Sequence, residues 1–168
     1  MQKQTGLAFE QVLEDNKDKI YRICRIYAVA PIEPQDLFQE VVVQIWTSFS
    51  TFKGESNIST WIYKIALNVC LRAKMKLNKN IHKMVRLESI EFAPAVTSPN
   101  ESEQEKYQML QSCISSLNEG DKSIVILYLE ELPYKEIAMI TGLSENHIAV
   151  KMKRIRKILL DCITGKLN

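Results

Sequence analysis

Residues 133–160, PYKEIAMITGLSENHIAVKMKRIRKILL, constrain this chain more than any other stretch. They spell a short helix, a glycine turn and a second helix. Pro133 suits the first turn of the first helix, where no amide donor is needed. Ile137, Ala138 and Ile140 give that helix its buried face. Gly142 follows Ala138 by four positions, so two helices can approach closely around a turn that a side chain would hinder. Ser144 is a natural N-cap for the second helix. There Ile148, Met152, Ile155 and Leu159 recur at helical spacing and leave Lys151, Lys153, Arg154, Arg156 and Lys157 on the other faces. A helix with one apolar stripe and this much positive charge fits the DNA major groove. An ordinary solvated helix would explain the cations but not their coincidence with the turn spacing. The segment is therefore read as DNA-binding.

The rest of the chain reads as helix too. Five glycines and five prolines in 168 residues favour long helices over strands and turns, and 46% apolar residues suffice for two small cores. Residues 7–29 carry apolar positions at helical intervals, and Pro31 and Pro34 interrupt them. Pro34 opens a second helix to about Phe49, residues 50–58 form a loop around Gly54, and a third helix runs from Ser59 to about Leu77. Residues 88–103 hold two prolines and no period, so 81–103 is assigned as a flexible linker between a unit at 1–80 and a unit at 104–168. Beyond it the pattern predicts a helix over 103–117, a turn at Asn118–Gly120, and a helix over 122–131 capped by Asp121. The expected fold class is all-α, two small helical domains.

Net charge, +2, decides nothing, but its distribution does. Residues 56–87 contain no Asp or Glu and hold Lys64, Arg72, Lys74, Lys76, Lys79, Lys83 and Arg86. Residues 88–105 reverse the sign, with Glu88, Glu91, Glu101, Glu103 and Glu105 and no cation. Two basic segments separated by an acidic connector point to two contacts with a polyanion.

The second helix has an apolar face made by Leu37, Phe38, Val41, Val42, Ile45 and Phe49. Asp36, Gln39, Glu40 and Gln44 share the other face, either as a solvated surface or as a stripe docked on a basic partner. On the third helix Lys64, Asn68 and Arg72 follow at i, i+4 and i+8, one polar ridge suited to phosphates or base edges. Phe49, Phe52, Trp61 and Tyr63 gather around the Gly54 loop. Such rings can stack unpaired bases, or serve as core, the reading favoured for Trp61.

Cys24, Cys70, Cys113 and Cys162 are widely spread, form no CxxC pair and sit in apolar helical contexts. They read as small core residues, and with His82 and His147 the only histidines, no metal site or cofactor is expected. Neither a signal core nor a long apolar run is present, so the expectation is a cytoplasmic protein with no direct membrane insertion. No fused sensor or inhibitor domain is expected after Asn168.

Taken in order, DLFQEVVVQIW, TFKGESNISTWIYKIALN and SIVILYLEELPYKEIAMITGLSENHIAVKMKRIRKIL resemble a bacterial extracytoplasmic-function (ECF) sigma factor of the sigma-70 family. The resemblance covers nearly the whole chain and matches the linker poorly. It implies that residues 1–80 are sigma region 2, binding core RNA polymerase through Asp36, Leu37, Gln39, Glu40 and Gln44, with Trp46 continuing the motif. It implies a −10 element site at Lys53, Asn57, Ser59, Thr60 and Trp61, with Lys64, Asn68 and Arg72 tracking the strand. It implies that residues 104–168 are sigma region 4, a helix-turn-helix reading the −35 element. There Glu145, Asn146, His147, Ala149, Val150, Lys151 and Arg154 face the groove, and Arg156 and Lys157 meet phosphates. Ala149 stands where many members carry a cation. The acidic linker is expected to thread toward the RNA exit path, and an anti-sigma factor is an expected partner.

A stand-alone helix-turn-helix regulator is the alternative. It would tend to bind paired half-sites as a symmetric dimer, whereas two different basic segments in one chain favour an asymmetric promoter. An enzyme is not expected. Asp36 and Glu40 are the only suggestive acidic pair, and neither has a His or Lys partner at catalytic spacing.

Overall fold

The structure, a computed structural model, describes residues 2–83 and 101–167. Its elements are α1 (Gln2–Tyr27), α2 (Pro34–Ser48), a 3₁₀ turn (Phe49–Thr51), α3 (Ile58–Lys83), α4 (Glu101–Ser115), α5 (Glu119–Leu129), α6 (Tyr134–Thr141) and α7 (Glu145–Leu167). Among the described residues there is no strand, and the all-α expectation holds. Residues 84–100, which include most of the expected linker, lie outside the described residues. Helix α3 runs on to Lys83 and α4 starts at Glu101, so both enter the span 81–103.

Helices α1, α2 and α3 pack on one another. The stripe read from α2 turns inward as Leu37, Val41 and Ile45, which meet Ile20, Ile23, Ile62, Ala66 and Val69 in the core. Pro34 sits in the first turn of α2, where its missing amide costs nothing. Phe9 stands edge-on to Trp46 at 4.8 Å and to Phe49 at 5.5 Å, closing the far end of this bundle.

In the C-terminal half α7 packs against α4, α5 and α6. Ile148, Met152 and Ile155 are all but fully buried, as their spacing predicts. Gly142 ends α6 at φ +75°, the left-handed region that a glycine enters without strain, and its N–H donates to the Ala138 carbonyl at 2.9 Å. The Ser144 hydroxyl accepts from the His147 amide at 3.2 Å, capping α7.

Two expectations are corrected. The cap of α5 is Asn118, whose side chain accepts from the Asp121 amide at 3.0 Å. The helix starts earlier than predicted, so Asp121 falls in its first turn and is buried. The four cysteines are also not equivalent. Cys24 and Cys70 are buried free thiols, but Cys113 of α4 and Cys162 of α7 form a disulfide across a Cα separation of 6.0 Å. Packing α4 beside the end of α7 brings them together from 49 positions apart, a pairing without local sequence signal.

The two halves meet. Helix α3 packs on α6, and four polar contacts cross from α1 and α3 to α5 and α6. Arg22 donates twice to Glu130, at 2.7 Å each, and Tyr27 and Ser123 share a hydroxyl hydrogen bond of 2.8 Å. Thr60 donates to Glu136 at 2.6 Å, and Lys74 to Glu119 at 2.5 Å.

Candidate nucleic-acid interface

The first turns of α7 carry Glu145, Asn146, His147, Ala149 and Val150, all exposed, with Lys153, Arg154, Arg156 and Lys157 exposed beyond them. The buried stripe fixes which side of the helix packs, so the opposite side presents these residues together. Val150 is 69% exposed, an apolar side chain held in water among polar neighbours. A thymine methyl group is the kind of surface that such a side chain suits. Arg156 lies over the Tyr128 ring at 4.9 Å and donates to the Tyr128 hydroxyl at 2.7 Å, which fixes its guanidinium against α5.

Lys151 and Arg154 have a second attachment. Lys151 donates to one carboxylate oxygen of Asp121 at 3.0 Å, and Arg154 to the other at 2.7 Å. Asn118 donates to Asp121 as well, at 2.8 Å. Burial pushes the Asp121 carboxyl up, but the hydrogen bonds from Lys151, Asn118 and Arg154 outweigh it and hold the group below its ordinary value. One buried anion thus sets the position of two cations on α7. Sequence reasoning read Asp121 as a cap and missed this. An acidic residue in the first turn ahead of the apolar run IVILYL was the available signal.

In the N-terminal half Lys53, Asn57, Lys64, Asn68 and Arg72 are exposed. Asn57 accepts from the Ser59 amide at 2.9 Å and so caps α3, while Arg72 donates to the Asn68 carbonyl at 3.2 Å. The ridge of Lys64, Asn68 and Arg72 runs along one side of α3, as read. Trp61 is half-buried with its ring 5.3 Å from that of Phe52, so the pair packs at the root of the loop. Thr60 differs. It is 3% exposed and its hydroxyl is engaged by Glu136 of α6.

The same closure brings α6 beside the neighbouring positions, which stay open to solvent. Lys53, Trp61 and Lys64 line one cleft with Met139 and Ile140 of α6. Asn68 and Leu71 line another with Thr141, Leu143 and Lys151. The basic ridge of α3 therefore borders the seam, and of the α7 cations Lys151 lines it too. Arg22, Glu119, Glu130 and Glu136, which hold that seam, were not singled out from the sequence, because pairings this distant leave no periodic trace.

On α2, Asp36, Gln39 and Glu40 are exposed and Gln44 is half-buried. Leu37 is 2% exposed and belongs to the core, so it offers nothing to the outer face. Val43 and Trp46 add exposed apolar area to that face, at 61% and 53%. Asp36, Glu40 and Gln44 border a groove whose other wall holds Arg72 and Lys76 of α3. Among the described residues, no helix is long and apolar enough to cross a membrane.

Comparison with known proteins matches residues 12–80 to the family model for Sigma-70 region 2 and residues 107–159 to that for Sigma-70, region 4. The chain is 27% identical over 148 residues to the RNA polymerase sigma factor SigV of Bacillus subtilis, spanning 88% of this chain and 86% of that one. It is 24% identical to the ECF RNA polymerase sigma factor SigW of the same organism, over 90% and 87% of the two chains. Its fold is similar to that of the sigma factor RpoE, solved in complex with the anti-sigma factor NepR from Bartonella quintana. The TM-score is 0.75 and the identity 18%, over 94% of this chain and 97% of that one. It also resembles CnrH in complex with the cytosolic domain of CnrY, with a TM-score of 0.68 at 16% identity over 95% and 90%.

Proposed function

This chain belongs to the sigma-70 family, among its ECF sigma factors, and we propose that it binds core RNA polymerase, reads the −35 and −10 promoter elements and promotes strand opening. Its role is that of a non-catalytic initiation factor. Residues 1–80 form the polymerase and −10 unit, 81–103 the connector, and 104–168 the −35 unit. The observation that carries the reading is the pair of distinct polar surfaces, the ridge of α3 and the outer face of α7, on two helical units with different folds. Two unlike surfaces suit two unlike promoter elements.

Asn146, His147, Val150 and Arg154 approach base edges in the −35 major groove, with Glu145 and Ala149 beside them. Arg156 and Lys157 meet phosphates. Lys64, Asn68 and Arg72 follow the melted −10 strand, and Lys53, Asn57, Ser59 and Trp61 hold an unstacked base. Thr60 joins that site once its bond to Glu136 is broken. Closure thus opposes −10 binding, and polymerase engagement has to part α3 from α6. Asp36, Gln39, Glu40 and Gln44, with the exposed ring of Trp46, form the polymerase-docking face. An anti-sigma factor is the proposed regulator, supported by the two structural relatives that were solved with theirs.

Run-off transcription from the DNA upstream of its own gene, with core polymerase alone and with the chain added, tests the proposal. Core binding is read in the same samples. Specific initiation that requires both components supports it. Neither initiation nor core binding would turn the reading to a stand-alone helix-turn-helix regulator.

A further inference from the structure

The bond between Cys113 and Cys162 joins the end of α4 to the last third of α7, and everything between them is the helix-turn-helix unit. Cys113 is 1% exposed and Cys162 half-buried, so the Cys162 side of the bond is the one nearer to solvent. Beside the bond, Lys166 donates to the Ser112 hydroxyl at 2.6 Å, placing an ammonium one turn from Cys162. The thiolate is the form of a cysteine that reacts. Helices α4 and α7 also pack on each other through the core, where Ile114 and Leu159 are both buried, so they remain adjacent without the bond.

The other cysteine pair has the opposite character. Cys24 and Cys70 are 0% exposed. The hydrogen bond from Cys24, together with burial, drives the Cys70 thiol far above its ordinary value. A buried thiol of this kind is inert. The chain thus carries one pair with a partly exposed member, Cys162, and one sealed pair, each confined to its own half.

We infer that Cys113 and Cys162 are a reversible thiol–disulfide clasp, closed by hydroperoxide and opened by a dithiol, which sets the stability of the helix-turn-helix unit. The Cys162 thiolate attacks one peroxide oxygen and the O–O bond breaks. The departing hydroxide takes a proton and leaves as water, and the sulfur, oxidised by two electrons, becomes a sulfenic acid. The Cys113 sulfur then attacks the sulfenic sulfur. The S–S bond forms as the S–O bond breaks, and the hydroxyl leaves with the Cys113 proton as a second water. Two thiols and one hydrogen peroxide give one disulfide and two waters. A dithiol reverses the step by exchange and is itself oxidised to a disulfide. Because the closed loop spans the whole unit, oxidation restricts its unfolded state and raises its stability.

The full-length chain, reduced and then titrated with hydrogen peroxide, tests this by alkylation and peptide mapping alongside thermal melting. The expected result is one linked peptide pair holding Cys113 and Cys162, with Cys24 and Cys70 labelled only after unfolding. The melting midpoint of the C-terminal half should rise by about 10 °C on oxidation. Cys162→Ser should abolish the peroxide-dependent shift while keeping the reduced midpoint, and Cys113→Ala provides the same comparison from the buried side. Over-oxidation of Cys162 without linkage, a Cys24–Cys70 link, or coincident melting curves for the oxidised and reduced chains would each overturn the inference.

Discussion

Arg22 and Glu130 lie 108 positions apart, yet the guanidinium of one grips both carboxylate oxygens of the other at 2.7 Å. The pair is lopsided. The Arg22 side chain is 47% exposed and that of Glu130 only 7%. Together with Thr60–Glu136 and Lys74–Glu119, it ties the two halves together beside the polar ridge of α3.

The lopsidedness sets an order of effects. Arg22→Ala strands a buried carboxylate and should shift the closed state toward open by ~1–3 kcal/mol. Glu130→Ala leaves an arginine that water can solvate, and should cost less. Donor and acceptor dyes on the two halves would report the closed fraction. If Glu130→Ala opened the chain more than Arg22→Ala, the desolvation argument would fail.

Asp121 predicts a pH dependence in the C-terminal half. Its folded-state pKa lies below the ordinary value, so it contributes stability that is fully present above about pH 5. That contribution is lost as pH falls through the carboxyl range toward the lowered folded value. Asp121→Asn should remove ~1–3 kcal/mol at pH 7, since it weakens the charge-assisted hydrogen bonds from Lys151 and Arg154 but leaves two cations that water can reach. It should also flatten the acid limb of a urea-midpoint series from pH 7 to pH 3. A variant with an unchanged acid limb would assign the dependence to other carboxylates, Glu119 first among them.

Much of the fold was legible where one residue type answers one geometric need. Pro34 opens α2, Gly142 takes the left-handed turn, Ser144 caps α7, and the Ile148–Met152–Ile155 stripe falls inward at its read spacing. Leu37 shows where a motif misleads, because its place in the docking pattern and its place in the core stripe overlap, and packing decides. Asp121 and Asn118 are both good caps three positions apart, so local preference could not say which would be buried. The disulfide and the Arg22–Glu130 clamp were invisible for another reason. Both depend on which helices become neighbours, a property that no short window of sequence contains.

On α2, charge reversal of Asp36 and Glu40 to lysine should weaken core polymerase binding at least tenfold. Both side chains are exposed, so the melting midpoint should hardly move. Trp46→Ala should also weaken binding, with its 53% exposed ring lost from the same face, although its contact with Phe9 adds some cost in stability. Fluorescence anisotropy against core polymerase measures each. Unchanged affinity in the charge-reversed chain would move the docking site off α2.

The cations of α7 divide by what else they hold. Lys153 and Lys157 are exposed, and alanine at either should lower DNA affinity equally for all sequences, reducing the salt slope by about 1 without altering stability. Arg154 binds Asp121 with its side chain still 58% exposed, so it remains able to reach a base, and Arg154→Ala should cost ~1–3 kcal/mol at one −35 position. Lys151 is only 23% exposed and serves mainly to neutralise Asp121. Its removal should lower the melting midpoint more than it lowers affinity at 10 °C, where the unit remains folded. In an Asp121→Asn background the Lys151→Ala stability loss should largely vanish, because its partner charge is gone. A full, sequence-selective affinity loss from Lys151→Ala in that same background would instead make Lys151 a base-reading residue and leave Asp121 merely its neighbour.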